Sequence, residues 1–250
     1  MKVVNADWEL KNIGKLTVEI TLEKSDLIKI PSDIISAVNE IKKSYKAEYT
    51  VLKIPAGSPM VGVEFSKHNF FHIETQLNLK ATREDVFFSL NKYEHLFTDT
   101  KIEFVTNLKA LKNIQEELMK GIFTKDRISL DPYFNVTLAN RRYANWVQNE
   151  FERGSQIFYV IVNGQKIGFS LWRYDKFSAF VVLSGLFYDY KFSNLGGNIY
   201  FVSIKNALQN GAKKFYTSVS SNNWESLRLN ESTGFRVNSL LEVYVSHEDY

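Results

Sequence analysis

Apolar and polar positions alternate with a period of two over residues 16–22, where Leu16, Val18, Ile20 and Leu22 share one face, and this predicts a β-strand. After Pro31-Ser32-Asp33 the apolar spacing lengthens, predicting an amphipathic helix over 34–45. A second strand is expected over 48–54, closed by Pro55-Ala56-Gly57, then a short helix over 59–68 and a third strand over 71–79. Thr82 is placed to cap the next helix. A fresh unit starts at Lys101 with a strand over 101–106. Leu108, Leu111, Gln115 and Leu118, with Ile114 and Met119 alongside, then give a helix with one mainly apolar stripe. A loop over 121–132 leads to a helix over 134–153, whose stripe is Ala139, Tyr143, Trp146, Val147 and Phe151. Strands follow over 155–162, 168–174 and 179–187, the first two joined by the tight hairpin signal Asn163-Gly164. The chain then runs through a basic loop, a glycine pair, a helix ending at Asn210-Gly211 and a strand over 215–219. It closes with a helix from Asn223 to Asn230, Gly234-Phe235 and a last strand.

This order is that of an α/β chain, with a smaller α/β domain expected over 1–98 and a second domain over 99–250. An internal echo accompanies it. Tyr49-Thr50, a short helix and Asn69-Phe70 parallel Tyr216-Thr217, a helix and Gly234-Phe235. The first copy has no glycine-rich loop before it, so it is expected to keep the shape without the chemistry.

Composition narrows the functions. With 250 residues, 44% of them hydrophobic, the chain has ample length for a buried core. The net charge of +3 comes from interspersed residues, so neither nucleic acid nor membrane is an expected partner. The absence of cysteine removes disulfides, thiolate metal ligands and a cysteine nucleophile together. His68, His72, His95 and His247 show no metal-ligand spacing, and no metal is expected. Ser184-Gly185 lies outside any nucleophile-elbow pattern. No apolar run approaches the roughly 20 residues needed to cross a bilayer, and the N-terminus lacks the apolar stretch of a secretory signal. A cytoplasmic protein is expected.

The chemistry concentrates in Lys191-Phe-Ser-Asn194-Leu195-Gly196-Gly197, a basic, glycine-containing turn at the start of a helix. Free backbone N–H groups at such a helix end, together with its dipole, bind phosphate. The turn, the helix ending at Gly211, Asn223 and Gly234-Phe235 resemble, in order and spacing, the GNAT superfamily of acyl-CoA-dependent N-acyltransferases. That family's loop reads Arg/Gln-x-x-Gly-x-Gly/Ala. The resemblance covers 101–250 and implies a mixed, mostly antiparallel sheet flanked by helices, with acetyl-CoA as cosubstrate. It puts Lys191 at the Arg/Gln position, Asn194 at the first glycine and Gly196 at the second, with Leu195 and Gly197 completing the loop. Asn194 is expected to make the turn at positive φ. By the same resemblance the pantetheine arm lies along the end of the strand at Phe187 and Tyr188, and Asn223 bonds it. Main-chain N–H groups near Leu186 act as an oxyanion hole.

The departure from the family is Asn230, which stands where a tyrosine usually protonates the leaving thiolate. Asparagine cannot supply that proton at neutral pH; Tyr188, Tyr190 and Tyr200 are the nearby tyrosines, and Glu225 and Asp189 the nearby carboxylates. The stretch from Asp126-Arg127 through Asp131-Pro132 to Arg142-Tyr143 and Trp146 is similar to a segment of two-domain GNAT proteins of the dTDP-fucosamine acetyltransferase type. In that reading Arg127, Arg142, Tyr143 and Trp146 line an acceptor pocket, whereas helical spacing alone makes Tyr143 and Trp146 core residues. The resulting expectation is an N-acetyltransferase acting on a small amine, an amino-sugar nucleotide among the possibilities, by direct attack without an acyl-enzyme. The alternative is a non-catalytic acyl-CoA or nucleotide-sugar binding protein of the same fold. A homodimer is left open.

Overall fold

In the computed structural model, residues 1–97 and 99–248 are described. The first half runs β1 (Lys2–Asn5), α1 (Trp8–Ile13), β2 (Thr17–Thr21), α2 (Pro31–Ser44), β3 (Tyr49–Pro55), α3 (Pro59–Ser66), β4 (Phe71–Thr82) and α4 (Arg83–Tyr93). The second runs β5 (Thr100–Phe104), α5 (Leu108–Met119), α6 (Arg127–Leu130), α7 (Val136–Glu152), β6 (Gln156–Val162), β7 (Gln165–Asp175) and β8 (Ser178–Leu186). It ends with α8 (Gly196–Gln209), β9 (Lys214–Ser220), α9 (Trp224–Ser232) and β10 (Arg236–His247). The expected elements are all present. The pattern at 2–13 is too short and too mixed to announce β1 and α1, which sequence reasoning missed.

The ten strands among the described residues form one sheet, in the order β1-β2-β3-β10-β4-β9-β8-β7-β6-β5. Neighbours are antiparallel except β2–β3 and β8–β9, which are parallel. The segments β2-α2-β3-α3-β4 and β8-α8-β9-α9-β10 have the same order, and each sends its last strand into the other's sheet. β10 pairs with β3, β4 pairs with β9, and β4 and β10 lie antiparallel at the centre. The sequence echo falls at matching points: Asn69 (φ 59°) and Gly234 (φ 96°) both adopt the left-handed conformation after α3 and α9, and Phe70 and Phe235 behind them are buried. The two halves therefore share their central strands. The boundary expected between 98 and 99 crosses no break in the sheet, and residue 98 itself lies outside the described residues.

Helices α4, α8 and α9 cover one face over a core of Leu79, Val86, Trp172, Ile204, Phe215 and Phe235. Helices α5 and α7 cover the other, over Leu111, Ile114, Val147, Phe169 and Leu171. The stripe expected on α7 is observed, with Ala139, Tyr143 and Val147 buried. Side-chain caps start these helices: Thr82 forms a reciprocal capping box with Asp85, and Asn107 and Asn135 accept from the N–H groups of Ala110 and Leu138.

Candidate active site

β8 and β9 pair for only three residues, Ser178–Lys214 to Phe180–Tyr216, although both strands continue. A register shift against β7 at Leu171/Trp172 makes Val182 an extra residue in β8, and such a bulge bends its strand. From there β8 parts from β9 and a gap opens between 182–186 and 217–220. In the first half the equivalent pair β2–β3 stays in register along all of β2, so that half has no such gap.

The gap has a main-chain wall. Phe187 donates its N–H to the Ile167 carbonyl at 2.9 Å, which fixes the alternation of the antiparallel β7–β8 ladder. Ser184 and Leu186 therefore direct their N–H and C=O groups away from β7, into the gap. Of the main-chain donors expected near Leu186, only that of Leu186 itself faces the gap, because Phe187 donates to Ile167 and Tyr188 donates its N–H to the Glu117 carboxylate at 3.0 Å. Phe187 is buried and Tyr188 half-exposed.

At the end of the gap α8 begins at Gly196 without a side-chain cap and without an acidic residue in its first turn. Among the described residues, the N–H groups of Asn194, Gly196 and Gly197 have no protein acceptor; that of Leu195 is held by Ser193 Oγ at 3.3 Å. This is the arrangement an anion favours. Three details differ from expectation. Asn194 is exposed but not at positive φ, so the turn needs no left-handed residue there. Lys191 donates to the Gly121 carbonyl at 3.3 Å, turning toward the α5–α6 loop. The glycines are closely packed instead: a Cβ on Gly196 would lie 3.2 Å from Leu229 Cδ1, and one on Gly197 3.0 Å from the Phe97 ring, so either side chain would have to shift.

Asn223 caps α9, accepting from the Ser226 N–H at 3.2 Å. Asn230 is fully buried and donates to the Ser226 carbonyl at 2.8 Å and to the Tyr200 hydroxyl at 3.3 Å, while its Oδ1 has no partner among the described residues. Of the three tyrosines considered for the missing one, the structure brings Tyr200 to it. Its hydroxyl lies 2.8 Å from Ser226 Oγ. Burial pushes the Tyr200 phenol above its ordinary value, against the smaller opposing effect of Ser226 and Asn230, so it is protonated at neutral pH. Glu225 at the start of α9 pairs with Lys125 of the α5–α6 loop at 2.6 Å, and that bond holds its carboxyl below the usual range.

The residues expected to line an acceptor pocket have protein partners. Arg142 grips Glu9 through Nε at 2.8 Å and through its terminal nitrogen at 2.7 Å; Arg127 pairs with Glu19 and lies 3.8 Å from Glu9. Glu9 is fully buried. Burial alone would raise the Glu19 carboxyl, but the Arg127 guanidinium and the Lys53 ammonium hold it down to about 2. Tyr143 is buried and donates to Asp126 at 2.5 Å. These groups bind α6 and α7 to α1 and β2, and the sequence could not announce it because α1 was not legible.

One residue near the gap was missed altogether. Glu74 on β4 is 8% exposed and its Oε2 has no partner among the described residues. Burial pushes its carboxyl up, opposed by the Ser220 hydroxyl and by Arg127. The only signal in the sequence is the polar face His72, Glu74, Gln76, Asn78 and Lys80, which alternates with Ile73, Leu77 and Leu79 along β4. Among the described residues no group of three or more His, Asp or Glu is placed to hold a metal ion, and no helix is long and apolar enough to cross a membrane.

No family model matches the chain, and no curated protein matches it. Solved structures do. A GCN5-related N-acetyltransferase from Sphaerobacter thermophilus superposes with a TM-score of 0.61 at 11% identity, over 98% of this chain and 75% of that one. A tandem GNAT protein from the clavulanic acid biosynthesis pathway gives 0.53 at 9% identity, over 86% and 69%. A GCN5-related glucosamine N-acetyltransferase region of a fungal multi-domain GH3 β-N-acetylglucosaminidase gives 0.60 at 13% identity, over 98% of this chain and 30% of that one. With its mixed α/β layers and a mostly antiparallel sheet flanked by helices, the chain has the GNAT fold of these neighbours.

Proposed function

We propose that the chain is an acetyl-CoA-dependent N-acetyltransferase that acts on a small primary amine, with an amino sugar or amino-sugar nucleotide as the acceptor class. The observation that carries this reading is the parting of β8 from β9 next to the uncapped, acid-free start of α8. The free N–H groups of Asn194, Gly196 and Gly197 suit a pyrophosphate, and the exposed main chain of Ser184 and Leu186 suits an extended amide-bearing arm added as a strand. The Leu186 N–H polarises the thioester carbonyl. The amine nitrogen attacks that carbon, the C–S bond breaks, and the nitrogen's extra proton leaves to a base. No acyl-enzyme forms, in keeping with the absence of cysteine. Tyr200, protonated and oriented by Ser226 and Asn230, gives the thiolate its proton in place of the missing α9 tyrosine. The amino-sugar acceptor rests on the resemblance of the 126–146 segment and on the fungal glucosamine N-acetyltransferase region among the structural neighbours.

A second reading, a binding protein without catalysis, is favoured by Asn230 in the tyrosine position and by Lys191 turning away from the loop. A thiol-release assay with acetyl-CoA and a panel of amino sugars, their nucleotides and simple amines separates the two. Turnover with any of them supports the enzyme; tight coenzyme binding without turnover across the panel supports the binding protein.

A further inference from the structure

On the α5–α7 side of the sheet, next to the gap, β4, β9 and β10 present a polar floor. Gln76 Nε2 donates to Asn78 Oδ1 at 2.7 Å, Ser218 Oγ donates to the same oxygen at 2.8 Å, and Asn78 Nδ2 donates to Ser239 Oγ at 3.1 Å. Ser218 and Ser239 are exposed, so the floor is open to solvent. At one end Phe180 and Tyr216 stack at 5.2 Å, where the β8–β9 pairing stops. At the other end stands Glu74. It is opposite Val243 in the β4–β10 ladder, two residues along β4 from Gln76, which pairs with Ser220 at the parted end of β9. One strand spacing, about 4.8 Å, separates β4 from β9 and so places Glu74 beside the gap.

At this end two buried polar atoms, Glu74 Oε2 and Arg127 Nε, have no partner among the described residues. A buried carboxylate oxygen left alone costs stability, and such atoms in native proteins are satisfied by ordered water, an ion or a bound group. The groups that act on Glu74 are Ser220, Arg127, Asp126 and Lys53, and Tyr143 is close enough to feel its charge. None of the cations among them bonds to it.

We infer that Glu74, supplied by the first half of the chain, receives the amine of the acceptor, and that the acceptor is a hydroxyl-rich primary amine lying along the Gln76–Asn78–Ser218 floor. This rests on the acetyltransferase reading for the reaction, but the recognition it describes is separable from it. An ammonium gives Glu74 Oε2 the donor it lacks, and a neighbouring hydroxyl gives Arg127 Nε an acceptor. The floor's amides and hydroxyls both donate and accept, which suits sugar hydroxyls, and the Phe180–Tyr216 pair offers an apolar ring face. When the bound ammonium passes one proton to Glu74, the nitrogen's lone pair is freed for attack at the gap. Burial, which favours the protonated carboxyl, assists that transfer, and the proton is returned to water after release of product.

The test is a calorimetric titration of the full chain with glucosamine and, separately, with glucose, which lacks the amine. The wild type should bind glucosamine about tenfold or more tightly than glucose, the scale of a charge-assisted hydrogen bond in a buried site. In Glu74→Gln that preference should vanish while coenzyme A affinity stays unchanged, and Glu74→Asp, which keeps the charge, should retain part of it. Asn78→Leu should weaken both sugars alike. Equal binding of the two sugars by the wild type, no binding of either, or a preference surviving in Glu74→Gln overturns the assignment and leaves the orphaned carboxylate oxygen and guanidinium nitrogen to ordered water. Loss of coenzyme A binding in the wild type, with the amine preference intact, contradicts the acetyltransferase reading instead.

Discussion

Replacing Arg142 with Ala distinguishes a structural arginine from a substrate-binding one. Arg142 is nearly buried, and its partner Glu9 is fully so. Three contacts join them, at 2.7, 2.8 and 3.0 Å. The remaining support for Glu9 is Asn12 Nδ2 at 3.2 Å and Arg127 at 3.8 Å, the latter already taken by Glu19. Truncation leaves a carboxylate out of water with little compensation, which costs about 3–5 kcal/mol. For a chain of this size each kcal/mol moves the melting temperature by about 2–4 °C, so a drop of about 6–20 °C is expected. Urea unfolding of Arg142→Ala, Glu9→Met and the Glu9→Met/Arg142→Met double variant measures this. The double variant should recover most of the loss, because removing both charges abolishes the uncompensated one. A stability change under about 1 kcal/mol in Arg142→Ala, with a raised KM for an acceptor, refutes the structural assignment.

Tyr200→Phe should lower kcat by about 10²–10⁴ with coenzyme affinity unchanged, the scale of losing a general acid; a kcat within twofold of wild type removes Tyr200 from the mechanism. The Glu19 carboxyl, held at about 2 against an ordinary 4.5, contributes stability that is present above pH 4.5 and lost as pH falls toward 2. The loss is about 3 kcal/mol, and Glu19→Gln should flatten that part of an acid-unfolding curve. Gly196→Val should destabilise by about 1–3 kcal/mol through Leu229, and weaken coenzyme A binding only as far as α9 shifts, which paired melting and calorimetry check.

Much of the second half was legible because its elements carry strong local signals: the apolar stripes of α5 and α7, the Asn163-Gly164 hairpin, and Asn223 seven residues before Asn230. What local signals cannot carry is partnership across the chain. The central place of β4 and β10 follows from which strand edges are free once both halves have folded, and nothing in 71–82 or 236–247 states it. Glu74 escaped for the same reason, since a glutamate in a strand reads as solvent-facing until α6 and its flanking loop are known to cover it. Arg127 and Arg142 read as ligand-binding because basic residues beside aromatic ones fit an anionic acceptor, and their carboxylate partners lie more than 100 residues away. Tyr200 was one of several tyrosines in the sequence, and only the packing of α8 on α9 brings it to Asn230.

The most direct measurement of the central claim is a calorimetric titration of the full chain with coenzyme A, repeated on Leu195→Asp, which puts a negative charge at the start of α8. The account predicts saturable binding with one site per chain, since the first half has no parted strand pair, and at least a tenfold loss in Leu195→Asp from repulsion at the helix N-terminus. Absence of binding at millimolar coenzyme, or an affinity indifferent to the added carboxylate in a folded variant, contradicts it.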